Sequence, residues 1–158
     1  MSEVGKPERE TQDRIVRLFR DELGYRYLGD WTDRDGNSNI EEGQLAAYLK
    51  RAGYSQDQIS RVLHMLHAEA DKHGRSLYDN NKEAYGILRY GAPVKIEAGK
   101  VTETVHLIDW EHPEKNDFAI AEEVTLRGNH ERRPDIVLYV NGIAVGVLEL
   151  KKSRVSIN

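Results

Sequence analysis

The segment from Arg133 to Ser153, RPDIVLYVNGIAVGVLELKKS, contains two apolar runs joined by Asn141-Gly142. An Asn-Gly pair between apolar runs is a strong signal for a tight β-hairpin, and continuous apolar runs are typical of strands covered on both faces. Asp135, Glu149 and Lys151 stand at the outer ends of these runs, where burying a charge would be costly. The sequence therefore predicts a buried hairpin whose open end carries three charged side chains.

The pairing register of this hairpin decides whether Asp135 and Glu149 lie side by side. A plain two-residue loop would place Asp135 opposite Leu148, and Glu149 would then face the other side of the sheet. A shared site therefore requires a shift of one residue. We expect either a three-residue loop with Gly142 as a left-handed bulge or an equivalent slip elsewhere in the hairpin.

The first half of the chain has the apolar spacing of helices. One predicted helix face, which ends before Gly24, comprises Ile15, Leu18, Phe19 and Leu23. Ser55 and Gln58 have the spacing of a capping box. The helix that follows them has the apolar face Ile59, Val62, Leu63, Leu66 and Ala70. A short helix is predicted to end near residue 53, and a further helix is predicted over residues 79–88, approximately.

From Pro93 onward the pattern changes to β-branched residues and alternation, which is typical of strands. One strand face is predicted to comprise Phe118, Ile120, Val124 and Leu126. Helices over about 8–90, followed by strands over about 93–153, predict an α+β fold with a mainly antiparallel or mixed sheet. A chain of 158 residues fits a single domain spanning 1–158. Because the last strand would feed another element, we expect a fragment of a longer protein.

Composition narrows the classes of function. The net charge is −4, so any contact with nucleic acid would come from a local site rather than from a basic surface. The absence of cysteine excludes disulfides and thiolate chemistry. The charged N-terminus lacks the apolar run of a signal peptide, and no run is long enough to cross a membrane. We therefore expect a cytoplasmic protein without membrane partners.

Asp135, Glu149 and Lys151 together have the residue types of a hydrolytic metal site. Glu149 and Lys151 are two apart on a strand and point to the same face, while Asp135 lies on the neighbouring strand. Two carboxylates, with the carbonyl of Leu150 in reach, suit Mg²⁺. A nearby ammonium can orient a metal-bound water and stabilise phosphate charge. The pattern favours phosphodiester hydrolysis, although charged strand ends are also commonly just solvated.

RRPDIVLYVNGIAVGVLELKKS resembles the nuclease motif in the restriction (R) subunit of type I restriction enzymes, which belongs to the PD-(D/E)xK superfamily. The resemblance extends over nearly the whole chain. It includes the upstream segments ERETQDRIVRLF, GYRYLGDW, LRYGAPVK, LIDW and NDFAIAEEVTLRGN.

The resemblance implies a restriction-endonuclease-like core that cleaves double-stranded DNA. Asp135 and Glu149 would be its Mg²⁺ ligands, and Lys151 its catalytic cation. Related nucleases place a helical glutamate near the site, and Glu10 is the best match for it here.

The resemblance also implies a modification (methyltransferase) subunit and a specificity subunit as partners. ATP would be used by motor domains of the full-length subunit, since this sequence lacks a GxxxxGK[ST] loop. The alternative is a docking or DNA-binding module that does not cleave as an isolated fragment.

Two further groups are open to more than one interpretation. Arg127, His130, Arg132 and Arg133 form a basic run beside the predicted site, which would either contact a DNA phosphate or form a solvated loop. Trp31 and Trp110 are expected to anchor the core or loops rather than to stack on bases.

Overall fold

The computed structural model describes residues 6–127 and 131–151, with side chains from residue 8 onward. Its elements are α1 (Lys6–Arg17), β1 (Arg26–Asp30), α2 (Glu42–Arg51), α3 (Gln56–Ala70), α4 (Leu77–Tyr90), β2 (Ala92–Val94), β3 (Glu103–Val105), β4 (Phe118–Glu122), β5 (Ile136–Val140) and β6 (Ile143–Leu148). The predicted α+β class is confirmed. The order differs from helices first and strands afterwards, because β1 precedes three of the helices.

Two compact units divide the chain. Unit 1 comprises the chain up to Glu41 and from Asp117 onward, and unit 2 comprises Glu42–Asn116. Unit 1 contains a four-stranded mixed sheet in the order β1-β4-β5-β6, in which β1 runs parallel to β4 and the other pairs are antiparallel. The single domain spanning 1–158 stays a prediction.

Unit 2 is built from α2, α3, α4 and the antiparallel pair β2-β3. Helix α3 packs against both α4 and β2. The predicted capping box at its start is confirmed, because the N–H of Gln58 donates to Ser55 Oγ at 3.2 Å and that of Ser55 to Gln58 Oε1 at 2.9 Å. Most of the predicted apolar face is buried, including Ile59, Val62 and Leu66.

Helix α1 ends differently from the prediction. Residues Leu18–Glu22 form a π-helical turn, closed by a 3.0 Å bond from the N–H of Leu23 to the carbonyl of Leu18. This wide turn breaks the 3.6-residue period for the residues that follow it, and Leu23 is 54% exposed. Leu18, at the start of the turn, is 40% exposed, so neither belongs to the buried face. Ile15 and Phe19 pack against the sheet as expected, together with Val16, which the predicted face did not include.

Strand β4 ends at a conformational break. Glu123 has a φ of 51°, a left-handed conformation that is uncommon for a residue other than glycine. The predicted single face running through Phe118, Ile120, Val124 and Leu126 is therefore wrong. Ile120 packs on the side of the sheet that faces α1, whereas Val124 packs with Trp31 in another apolar cluster.

The turn of the β5-β6 hairpin has two residues, not three. Val140 pairs with Ile143, and Asn141 and Gly142 both have positive φ, 52° and 81°, as a type I′ turn requires. The buried Asn141 also receives a 2.7 Å bond at Oδ1 from the N–H of Asp117. The predicted three-residue loop is therefore wrong.

The equivalent slip is confirmed two residues further along. Tyr139 pairs with Ala144, and the next pair is Leu138 with Gly146, so Val145 has no partner in this ladder. One extra residue on one strand is a β-bulge. Every pair beyond the bulge is shifted by one residue, as a shared site for Asp135 and Glu149 requires.

Paired cysteines test this register, because the chain has no cysteine of its own. The double variant Val137→Cys with Val147→Cys is expected to form a disulfide on mild oxidation, since paired residues in a ladder lie within disulfide range. The loss of free thiols measures it. In the control, Val137→Cys with Gly146→Cys, the thiols should stay free. The opposite result would show that the bulge is absent.

Candidate functional site

The open end of the β5-β6 hairpin carries all three predicted residues. The last pair of the ladder is Ile136 with Leu148, and the same register continued by one residue would set Asp135 opposite Glu149. Asp135 is half-buried, while Glu149 and Lys151 are exposed. Two carboxylates on adjacent strands are thus followed, two residues on, by an ammonium.

Backbone hydrogen bonds hold Asp135 on two sides. Its Oδ2 accepts a 2.6 Å bond from the N–H of Leu150, which lies between Glu149 and Lys151. Its carbonyl accepts a 2.9 Å bond from the N–H of Glu123 at the end of β4. The carboxylate therefore lies directly against the strand end that carries the other two predicted residues.

The carboxylates at this strand end suit a cation that keeps several water ligands better than one that is enclosed by protein side chains. Within residues 6–127 and 131–151, no group of three or more His, Asp or Glu side chains could hold a metal ion. Asp135 and Glu149 supply two carboxylates. Mg²⁺ is commonly bound by one or two carboxylates and keeps several waters, so these residues fit that ion.

Helix α1 contacts this end of the sheet through Gln12, which the sequence analysis did not single out. The side chain is 4% exposed. Its Nε2 donates to Glu123 Oε1 at 3.1 Å and lies 3.4 Å from both Glu122 Oε2 and the carbonyl oxygen of Asp135. One amide thus joins the helix to two strand ends.

Glu10, the helical residue proposed from the sequence, is exposed. The contact from α1 to Asp135 comes instead from Gln12, two residues later. Helical spacing could have indicated this, because Gln12 precedes the buried Val16 by four residues and therefore lies on the same face. A search restricted to acidic residues missed it.

A buried carboxylate lies beside Gln12. Glu122 is 2% exposed and pairs with Arg9 at 3.1 Å. Burial raises the pKa of Glu122 and Arg9 only partly offsets this, while Asp13 and Asp30 raise the pKa further. Because Glu122 pairs with Ile136, which packs on the α1 side of the sheet, it lies on the opposite face from Asp135.

A sequence model described as "Type I restriction enzyme R protein N terminus" matches residues 6–158. The chain belongs to this family. The match covers all the described residues and includes both strands of the hairpin and the helix that carries Gln12.

Two Methanocaldococcus jannaschii proteins are similar to part of this R-protein N-terminal region. One is provisionally named as the type I restriction enzyme MjaVIIIP endonuclease subunit and is 41% identical over 54 residues, or 34% of this chain and 5% of the relative. The other is provisionally named as the MjaIXP endonuclease subunit and is 37% identical over 59 residues, or 35% of this chain and 6% of the relative. The chain thus aligns with only a small part of each relative's length.

The basic run of the R-protein N-terminal region is partly neutralised by acids. Arg127 pairs with Asp35 at 2.7 Å, and Arg133 pairs with Glu123 at 3.1 Å. The backbones of Arg132 and Leu126 form an isolated bridge, and His130 lies outside the described residues. A role for this run at a DNA phosphate stays a prediction.

None of the helices over residues 6–127 and 131–151 is long and apolar enough to cross a membrane.

Proposed function

We propose that this R-protein N-terminal region is the DNA-cleaving nuclease of a type I restriction enzyme, with a PD-(D/E)xK core. The reaction is Mg²⁺-dependent hydrolysis of phosphodiester bonds in double-stranded DNA. The observation that supports the proposal is the bulged register, whose last pair is Ile136 with Leu148; continued by one residue, that register would set Asp135 opposite Glu149. Without that one-residue slip, the two carboxylates would face opposite sides of the sheet.

Each side chain has a distinct role in the proposed reaction. Asp135 and Glu149 hold Mg²⁺, with the carbonyl of Leu150 as a further oxygen donor. When bound, the ion acidifies a coordinated water and neutralises phosphate charge. Lys151, exposed at the same strand end, orients the attacking water and stabilises the charge that develops on the phosphate.

The proposal includes the assembly implied by family membership. The region would act in a cytoplasmic complex with a modification subunit and a specificity subunit. That complex, not this region, would select the DNA site. ATP would bind to motor domains of the full-length subunit.

Metal binding by the 158-residue chain tests the proposal. We expect Mn²⁺, used as a paramagnetic substitute for Mg²⁺, to bind and to be displaced by Mg²⁺, because both ions prefer oxygen ligands. Asp135→Ala and Glu149→Ala should each abolish this binding, measured by electron paramagnetic resonance. The exposed Asp33→Ala variant is the matched control and should bind as the original chain does. Binding that survives both site variants would contradict the assignment.

The second candidate function is docking or DNA binding without cleavage by the isolated fragment. It is favoured by the bond from the N–H of Leu150 to Asp135 Oδ2, which occupies one oxygen that a metal would use. It is also favoured by the lack of a third metal-binding side chain among residues 6–127 and 131–151. A chain that binds DNA but shows no carboxylate-dependent metal binding would support this alternative.

A further inference from the structure

Unit 2 contains a groove that the proposed nuclease site does not use. Its cavity has a volume of about 750 Å³, within the range of sites that hold small ligands. Its lining includes aromatic and basic side chains: Tyr54, Arg89, Tyr90, His106, Trp110 and His112. We call this surface the aromatic groove.

Two rings of the aromatic groove are exposed, and one of them is held in place. Tyr90 is 74% exposed and Trp110 is 48% exposed. Trp110 Nε1 donates a 3.0 Å bond to the carbonyl of Leu88 on α4, so the indole is anchored as predicted. Half of it still faces solvent, which leaves open the base stacking that the sequence pattern disfavoured. A fixed, exposed ring offers a stacking surface at little further cost in conformational entropy.

Cations lie among these rings. The guanidinium of Arg89 is 5.1 Å from the centre of the Trp110 ring and 5.9 Å from that of Tyr90. An adjoining cavity, which shares Tyr48 with the aromatic groove, adds Arg51 and Lys115. Aromatic rings interleaved with cations are the combination that binds unpaired nucleic-acid strands.

Two carboxylates also line the groove, and one of them is engaged in a turn. Asp109 Oδ1 accepts backbone N–H bonds from Glu111 at 3.1 Å and from His112 at 2.8 Å. Its charge is therefore partly used within the loop. Arg89, Arg51 and Lys115 outnumber Asp109 and Glu111 by three to two, which leaves the surface open to an anion.

We propose that the aromatic groove binds single-stranded DNA. Tyr90 and Trp110 would stack on unpaired bases, whose faces are free in a single strand but covered in a duplex. Arg89, Arg51 and Lys115 would neutralise the phosphates. The groove offers little exposed aliphatic surface to a protein partner, since Ile108 is only 8% exposed, and a protein occupant is a separate outcome of the test. The proposal concerns unit 2 and does not depend on cleavage.

Binding of a fluorescent oligothymidylate of about ten nucleotides to the 158-residue chain tests this inference. The titration is followed by anisotropy and contains a chelator, so that metal-dependent binding and cleavage do not contribute. We expect binding that weakens with added salt. Trp110→Ala and Arg89→Ala should each weaken it about tenfold, as expected when a stacking ring or a phosphate-binding cation is lost.

Matched controls come from α4, the helix that carries Arg89 and Tyr90. Lys82→Ala removes an equal charge and Tyr85→Ala an exposed ring, both outside the groove. Neither should change the affinity more than twofold. Trp110→Phe, which keeps a ring, should retain most of the binding and exclude misfolding as the cause of the loss.

Several outcomes would overturn the inference. These are no binding, equal loss in the controls, equally tight binding of a duplex of the same length, or equally tight binding of free thymidine monophosphate. If the groove variants disrupted a protein complex while the oligonucleotide failed to bind, the groove would be a protein interface instead.

Discussion

Lys151→Ala in the assembled enzyme is expected to lower DNA cleavage by about 10²–10³-fold, the loss typical when a group that stabilises transition-state charge is removed. Asp135→Ala should lower it at least as far, because both the proposed metal ligand and the bond to the N–H of Leu150 are lost. The physical reason is that Glu149 would then be the one remaining carboxylate of the proposed metal site. The measurement is cleavage of double-stranded DNA under single-turnover conditions.

The controls separate a chemical effect from a folding effect. Asp33→Ala and Lys82→Ala remove the same charges at exposed positions in other segments and should leave cleavage unchanged. ATP hydrolysis by the assembled enzyme should persist in every variant. Undiminished cleavage by both Asp135→Ala and Lys151→Ala would refute the catalytic assignment.

Gln12→Glu is expected to produce the second large effect, although Gln12 lies on the first helix and would bind no metal. The substitution removes an amide donor and places a third carboxylate against Glu122 and Glu123. Losing a buried hydrogen bond costs about 1–3 kcal/mol of unfolding free energy. Cleavage should fall about 10–100-fold, as is typical when a residue that orients ligands is lost.

A dependence on pH distinguishes positioning by Gln12 from a general loss of stability. Neighbouring carboxylates raise the pKa of an introduced glutamate, and its protonated form can again donate one hydrogen bond. Relative to the original enzyme at each pH, cleavage by Gln12→Glu should therefore recover as the pH falls. Gln56→Glu, on the exposed start of α3, is the matched control. A deficit of the same size at every pH would contradict the positioning role.

The sequence contained the local information about this protein. The Asn141-Gly142 pair indicated the hairpin because the left-handed conformations of a type I′ turn are accessible to those two residues. The capping box at Ser55 and the buried face of α3 followed from spacing alone, since both depend on residues three or four apart. The charged ends of the apolar runs marked the candidate site for the same reason.

Tertiary structure decided which side chains share a face. The bulge at Val145 depends on how β5 and β6 pair along their whole length, and no local preference of Val145 encodes it. The left-handed Glu123 changes the face of the residues after β4, and Leu23 is exposed after the π-helical turn. In each case a local break in the regular strand or helix changes the face on which the following residues lie. The regular spacing of apolar residues does not predict such a break.

At the candidate site, the contacts of Gln12 likewise could not be predicted from sequence patterns. Its contacts with Glu123 and Asp135 join residues more than a hundred positions apart, and a neutral amide has no sequence signature of catalysis. The sequence by itself determined the hairpin and the three charged residues at its open end. Only the tertiary structure decided that a bulge shifts the register so that Ile136 pairs with Leu148, and that a helix contacts Asp135 through Gln12, because long-range pairing fixes the register of a strand.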